Sequence, residues 1–259
     1  MTQTERRCAL IRALLDEEPR CRSVPVPQSE SEQRLLLRAL LNVREPKPAS
    51  AEMLELQDAY LQEETRRKGI TDLKELTPVR KGIYLWQGDI TTLRCGAIVN
   101  AANSALLGCF HPNHGCIDNA SHSFAGMLLR AVCAQIMARQ GHEEETGGAK
   151  LTHAYNLPCD YILHTVGPIV RGRLTPQAHA QLASCYRSCL SLAAEQSIAS
   201  VAFCCISTGE FGFPNAPAAE TAVKAVEKFL AETGGKTEVI FNVFKDKDLA
   251  IYRRLLGAA

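Results

Sequence analysis

From about residue 80 onward the chain alternates between two periods, and this alternation constrains the fold more than any other feature. Short runs rich in apolar, β-branched and aromatic residues occur at Ile83 to Gln87, Ala97 to Asn100, Tyr161 to Val166, Ser200 to Ile206 and Glu238 to Phe244. Between them lie stretches with helical spacing at 121–139, 177–196, 216–232 and 247–256. Strands that are apolar along their whole length belong in a sheet covered on both faces, and regular strand–helix alternation is the pattern of parallel pairing. The expected architecture is therefore α/β: a three-layer α/β/α domain around a mixed, mostly parallel central sheet. In open sheets of this kind ligands bind beyond the carboxyl ends of the strands.

Residues 1–79 follow a different pattern, helical throughout. Ala9, Leu10, Ala13 and Leu14 form an amphipathic set that Pro19 closes. A strongly apolar helix is expected to begin at Ser31 and run to Asn42. Pro46-Lys47-Pro48 stops it, because proline lacks the amide and restricts the residue before it. Ser50 is placed to cap a third helix through Met53, Leu54, Tyr60 and Leu61, which Gly69 ends. Nothing in this stretch looks catalytic. The expected organisation is a helical N-terminal extension over 1–79, packed on a core domain over 80–259.

Composition excludes several classes of function. A net charge of +1 and no dense basic run give no electrostatic case for nucleic acid or a membrane surface. No apolar run is long enough to span a bilayer, and the first residues lack the apolar stretch of a secretory signal. The 11 cysteines are odd in number and scattered through apolar segments such as Ala202-Phe203-Cys204-Cys205-Ile206, which is not a disulfide framework. The expectation is a soluble cytoplasmic protein.

The residues that follow the expected strands are distinctive. Gly88-Asp89-Ile90-Thr91 follows the first and Asn100-Ala101-Ala102-Asn103-Ser104 the second. After the run at 200–206 comes Ser207-Thr208-Gly209-Glu210-Phe211-Gly212-Phe213-Pro214, a turn with hydroxyls and glycines placed before a helix. Such a turn lets backbone amides approach an anion, although it lacks the spacing and Lys of a P-loop. Asp89, Asn100 and Asn103 suit turn positions equally well as ligand contacts. Gly108 to Asn119 is denser in chemistry. Cys109, His111, His114 and Cys116 precede Asp118 on a loop that feeds a helix N-terminus. Cys-x4-His-x-Cys is tight enough for one loop to supply two thiolates and an imidazole to a metal, and structural cysteines would give the same pattern. His111 competes with His114 as a ligand, and His122 is a candidate for a further coordination position.

Taken together, Gly88 to Thr91, Val99 to Asn103, Tyr155 to Pro158, Ile162 to Pro168 and Ile206 to Pro214 occur in the order seen in macrodomains, modules that bind ADP-ribose. The resemblance covers about residues 80–256. Hydrolytic macrodomains ordinarily carry a glycine run before an Asp in the catalytic loop, whereas here Cys109…His114-Gly115-Cys116 precedes Ile117-Asp118. With the helical stretch Leu37 to Gln62 ahead of it, the chain resembles the zinc-dependent microbial branch of that family. Members of that branch resemble enzymes that remove ADP-ribose from proteins, often partnered by a sirtuin-like ADP-ribosyltransferase.

The resemblance implies a role for each motif. Asp89 and Ile90 contact the adenine, with Phe244 as the stacking aromatic of Phe241 to Phe244. Ser207, Thr208, Gly209, Glu210 and Phe211 hold the diphosphate, and Asn103 the distal ribose. Cys109, His114 and Cys116 match the zinc (Zn2+) ligands and Asp118 the catalytic carboxylate. Where Ser121 stands, the resemblance leads to an aliphatic residue. The expected reaction is zinc-dependent hydrolysis at the anomeric carbon of the distal ribose, releasing mono-ADP-ribose from an ADP-ribosylated protein. Asp118 positions or deprotonates the nucleophile and Asn103 fixes the sugar. A non-catalytic ADP-ribose reader, or a hydrolase of a free ADP-ribose derivative, needs the same pocket. A helix N-cap is the alternative role for Asp118.

Overall fold

The computed structural model describes residues 1–258. Three helices come first: α1 (Gln3–Glu17), α2 (Glu30–Val43) and α3 (Ala51–Lys68). Thr2 and Glu5 form a capping box at the start of α1. The cap of α2 is Ser29, not Ser31, because the Ser29 hydroxyl accepts from the Glu32 amide. Ser50 caps α3 and Gly69 ends it, as the spacing predicts. Leu10, Ile11, Leu14, Leu37, Met53, Tyr60 and Leu61 bury one another, giving these helices a hydrophobic cluster of their own.

The chain continues through β1 (Thr71–Asp72), β2 (Ile83–Gln87), β3 (Leu93–Arg94), β4 (Ala97–Ala102), α4 (Ile117–Ala125), α5 (Met127–Gln140), β5 (Lys150–His153), β6 (Tyr161–Val166), α6 (Pro176–Glu195), β7 (Ser200–Phe203), α7 (Asn215–Thr233), β8 (Glu238–Val243) and α8 (Asp246–Leu256). Six strands form one sheet in the order β2-β8-β7-β4-β6-β5. All neighbours pair in parallel except β5, which runs antiparallel to β6. Helices cover both faces, so β4 and β7 are apolar and buried almost throughout. β1 and β3 pair separately, and Leu73 beside them belongs to the sheet's core cluster.

The order of the strands places the site. Beyond β4 the chain proceeds toward β6 and β5; beyond β7 it proceeds the opposite way, toward β8. The two strands are neighbours, so their following loops part and leave a crevice between them.

Three local expectations need correction. The strand expected over 200–206 ends at Phe203, and the chain then leaves the sheet toward Ser207, which adopts a left-handed backbone (φ 64). β5 escapes the apolar-run criterion because Lys150-Leu151-Thr152-His153 sits on a sheet edge and alternates polar with less polar residues. The stretch read as one helix over 121–139 is two, starting earlier at Ile117 and broken at Gly126 (φ 98, ψ −177). That conformation is essentially closed to residues with a Cβ. Gln57 of α3 fills the break: its carbonyl accepts the Met127 amide at 2.8 Å, and its side chain lies 2.5 Å from where a Cβ on Gly126 would stand. Met127 itself joins the cluster of the first three helices.

Gly126→Ala therefore has to strain the backbone and expel Gln57. We expect a loss of about 2 kcal/mol of stability, seen in urea unfolding as a lower midpoint with an unchanged m-value.

Candidate functional site

The crevice at the carboxyl ends of β2, β4, β7 and β8 is a cleft of about 710 Å³. Every residue given a role by the resemblance lines it, including Asp89, Asn103, Cys109, Asp118, Ser207 and Phe244, whereas Asn100, His111 and His122 do not. At one end Asp89, just past β2, caps a short helical turn. Its carboxylate accepts from the Thr91 amide and hydroxyl at 3.0 and 2.6 Å and from Lys68 Nζ at 3.2 Å. Burial works against the charged form of Asp89, but the Thr91 hydrogen bonds and the Lys68 charge outweigh it and hold the carboxyl below its usual range. Ile90 is buried beside it. Phe244, which also lines the cleft, is 73% exposed, a bare ring free to stack. Phe241 is not available for stacking, because it is buried against Tyr252 with ring centroids 5.0 Å apart.

The wall beyond β7 is a tight loop. Thr208 Oγ1 donates to the Cys205 carbonyl at 2.9 Å and the Phe213 amide to the Ser207 carbonyl at 2.9 Å. The amides of Ser207, Gly209, Glu210 and Phe211 donate to no protein acceptor among the described residues. A turn of free amides beside a cleft is an anion cradle. Gly167, past β6, packs against it so closely that a Cβ would overlap the Ser207 hydroxyl.

The opposite wall starts from Asp118, in the first turn of α4. It is not the helix cap: that place is taken by Cys116, whose sulfur accepts from the Asn119 amide. The Asp118 carboxylate is 4% exposed and takes hydrogen bonds from Asn100 Nδ2 at 2.8 Å and Asn103 Nδ2 at 3.2 Å. Burial pushes its carboxyl up to about 6, against the Asn100 hydrogen bond and the Arg130 charge, which favour the ionised form. Both protons of the Asn103 amide are committed, one to Asp118 and one to the Gly108 carbonyl at 3.0 Å. Any ribose contact by Asn103 must therefore use its carbonyl oxygen or displace one of these bonds. Asn100, equally open in the sequence to a ligand role, is fully buried and acts on Asp118 instead.

Cys109, His114 and Cys116 bring one ligand atom each within 4.8 Å of one another. Cys109 Sγ and His114 Nδ1 are 3.6 Å apart, and tetrahedral zinc bond lengths put sulfur and nitrogen about 3.6 Å apart. The donor set thus fits a zinc ion. Burial pushes the Cys116 thiol up to about 11, so a cation is what would draw off its proton. His114 turns its other nitrogen to Glu210, at 3.5 Å, the kind of carboxylate partner that orients a ligating imidazole.

Neither other histidine joins this group. His111 is exposed, edge-on to His114 with centroids 5.4 Å apart. His122 lies on the buried side of α4 with Cys133 and His164. That second trio is a poor metal site, because both His164 nitrogens are already bonded, to Asn100 at 3.2 Å and Thr152 at 2.9 Å. Several cleft residues escaped the sequence reading altogether, among them Lys245, Asp248 and two basic residues of the extension. Arg38 of α2 and Lys68 of α3 reach the cleft from the extension, and charged residues on amphipathic helices carry no local signal of such a role.

Comparison with known proteins agrees with this geometry. The Macro domain family model matches residues 99–222. A protein-ADP-ribose hydrolase of Treponema medium is 55% identical over 99% of this chain and 100% of its own length. Its counterpart in Staphylococcus aureus (strain MRSA252) is 51% identical, over 88% of this chain and 86% of its own. Among solved structures, the Trypanosoma brucei macrodomain in complex with ADP-ribose superposes with a TM-score of 0.66 at 31% identity, covering 89% of this chain and 97% of that one. The Oceanobacillus iheyensis macrodomain with ADP gives 0.63 at 34% identity, covering 70% and 94%.

Ser121, the departure noted in the sequence, is fully buried and its hydroxyl has no partner. Removing an unsatisfied buried hydroxyl relieves a desolvation cost. Ser121→Ala is expected to stabilise the protein by about 1 kcal/mol, read as a raised urea midpoint.

Proposed function

This chain belongs to the Macro domain family, and from that premise we propose that it is a zinc-dependent protein-ADP-ribose hydrolase that releases mono-ADP-ribose from modified proteins. One observation carries the reading. A buried carboxylate held by two asparagine amides, a Cys–His–Cys trio at zinc spacing and a loop of free amides all face a single cleft. Adenine would lie between Ile90 and Phe244, with Asp89 to read its exocyclic amine once Lys68 shares or yields that carboxylate. The amides of the 207–211 loop receive the diphosphate. This leaves the distal ribose at Asp118 and Asn103, with the protein adduct leading out of the cleft.

Cys109, His114 and Cys116 would hold the zinc, which when bound would supply Lewis-acid chemistry at the reacting end of the cleft. Asp118 accepts a proton from the attacking water as its oxygen bonds to the anomeric carbon. The bond from that carbon to the protein side chain breaks, its electron pair leaves with the side chain, and Asp118 returns the proton to that group or to solvent. Asn100 and Asn103 fix the carboxylate so that no reorganisation is needed as the water approaches. The phosphate loop acts at a distance: binding energy gained there orients the sugar. The adduct itself must be made by a protein ADP-ribosyltransferase, and the sirtuin-like class suggested by the sequence resemblance supplies that chemistry. No helix of the described residues is long and apolar enough to cross a membrane.

The test is release of ADP-ribose from a mono-ADP-ribosylated protein, with metal content measured on the same samples. Release should vanish after chelation and return with zinc. Asp118→Ala should lose about 10²- to 10⁴-fold in turnover while keeping its ADP-ribose affinity and its zinc. Binding without release by zinc-replete wild type would leave only a reader. Phe244→Ala, a substitution far from the reacting carbon, should weaken ADP-ribose binding by about 1 kcal/mol, the low end for loss of a stacked base, as measured by calorimetry.

A further inference from the structure

The loop bearing Cys109, His114 and Cys116 is irregular backbone, and much of what holds it comes from the N-terminal extension. Arg38 of α2 donates through Nη2 to the His114 carbonyl at 3.0 Å. Its Nε and Nη2 both reach Asn119 Oδ1, at 3.2 and 2.8 Å. Asn119, fully buried in α4, passes the connection on. Its side-chain amide donates to the carbonyls of Cys109 at 3.3 Å and His111 at 3.0 Å, and its backbone amide to Cys116 Sγ at 3.4 Å. One turn along α2, the buried Asn42 accepts from the Asn113 amide at 2.9 Å and donates to Ser123 Oγ at 2.7 Å. Ser123 in turn donates to the Asn119 carbonyl at 2.7 Å. Every one of the three ligand residues is therefore a single hydrogen bond from Arg38 or Asn119.

Two features mark this as more than packing between helices. Asn42 spends both ends of a fully buried amide on the loop and on α4, where an apolar side chain would have served mere burial. Arg38 presents two nitrogens to one carbonyl oxygen and a second bond to the loop backbone, a planar fork that lysine cannot reproduce. A loop with these anchors is already ordered when an ion arrives. Without them, the entropy of ordering it is charged against metal binding.

We propose that α2 sets the metal affinity of the Cys109–His114–Cys116 loop, with Arg38 and Asn42 as positioning residues. The inference rests on the zinc reading above. It makes the extension a working part of the hydrolytic site, so that the site cannot be transplanted as the core domain alone.

The experiment uses the full chain and compares wild type with Arg38→Ala, Arg38→Lys, Asn42→Ala and Arg34→Ala. Arg34 serves as the control: it lies on the same helix and pairs with Glu30 and Glu64, with no bond to the loop. Zinc affinity is measured by competition with a chromophoric chelator, and the cobalt-substituted proteins are read by their d–d and thiolate charge-transfer bands. Loss of an outer-shell partner typically costs 10- to 100-fold in metal affinity, so Arg38→Ala and Asn42→Ala should fall by about that factor. The cobalt bands should shift in both. Arg38→Lys, which retains the charge and is the gentler test should Arg38→Ala not fold, should fall in the same direction. In Asn42→Ala, whose side chain lies outside the cleft, ADP-ribose affinity should stay close to wild type, and at saturating zinc any loss should appear in kcat and not in KM. Wild-type zinc affinity and an unchanged cobalt spectrum in both Arg38 variants would overturn the proposal. So would an equal loss in Arg34→Ala, which would mean that general loosening of α2 is responsible. If the wild type binds neither ion, the zinc reading itself falls, and the two failures are told apart by that first column of data.

Discussion

A carboxylate with almost no solvent around it must be given its donors by the protein, and the architecture around Asp118 answers that demand. The donors come from the end of β4: Asn100 inside the strand and Asn103 just past it. Asn100 is itself held from the side. It stands in register with His164 on β6 and bonds to it, and His164 bonds to Thr152 on β5. A polar chain thus runs from the edge of the sheet to the first turn of α4. In a low-dielectric interior such a chain is rigid because breaking any link strands a buried polar group. Beside this chain the carbonyl of Asn100 and both His122 nitrogens have no hydrogen-bond partner, although His122 Nε2 stands 3.7 Å from Asp118 Oδ1.

The remaining parts of the site attach to this fixed point through two different kinds of structure. The anion cradle after β7 owes its place to the strand order, which sends the chain in opposite directions from β4 and β7 and so parts the loops. The Cys–His–Cys loop owes its place to hydrogen bonds with α2 and α4. Glu210 and His114, 3.5 Å apart, are where the two meet across the cleft. The N-terminal helices have a hydrophobic cluster of their own, yet they are bound to the site through Gln57 at the α4–α5 break and through Arg38, Asn42 and Lys68.

Much of this was legible beforehand, and unevenly so. The apolar runs found the five parallel strands of the main sheet, because strands covered on both faces must be apolar throughout. They missed β5, whose edge position leaves it polar. They also overran at 204–206, where Cys204 and Ile206 are buried in the cleft floor and core without being paired. Helical spacing could not reveal the break at Gly126, since an isolated glycine is tolerated in a helix and only its backbone angles show that the helix stops. The loops after the strands announced themselves by residue type. The role of Asn100 did not, because an asparagine at the end of a strand reads the same whether it faces a ligand or a buried carboxylate.

By itself, then, the sequence determined what depends on local pattern: a doubly covered, mostly parallel sheet, three helices ahead of it, and the identity of the loops at the strands' carboxyl ends. Cys109, His114 and Cys116 stood out because two thiols and an imidazole at so short a spacing are a rare pattern, and the fold brings the three together. Only the tertiary structure decided which polar groups meet. That Cys116 and not Asp118 caps α4, that His122 turns inward away from the thiols, and that Arg38 reaches across 81 positions to Asn119 are outcomes of packing. Hydrogen bonds between residues so far apart depend on how whole helices dock, and no local spacing records that.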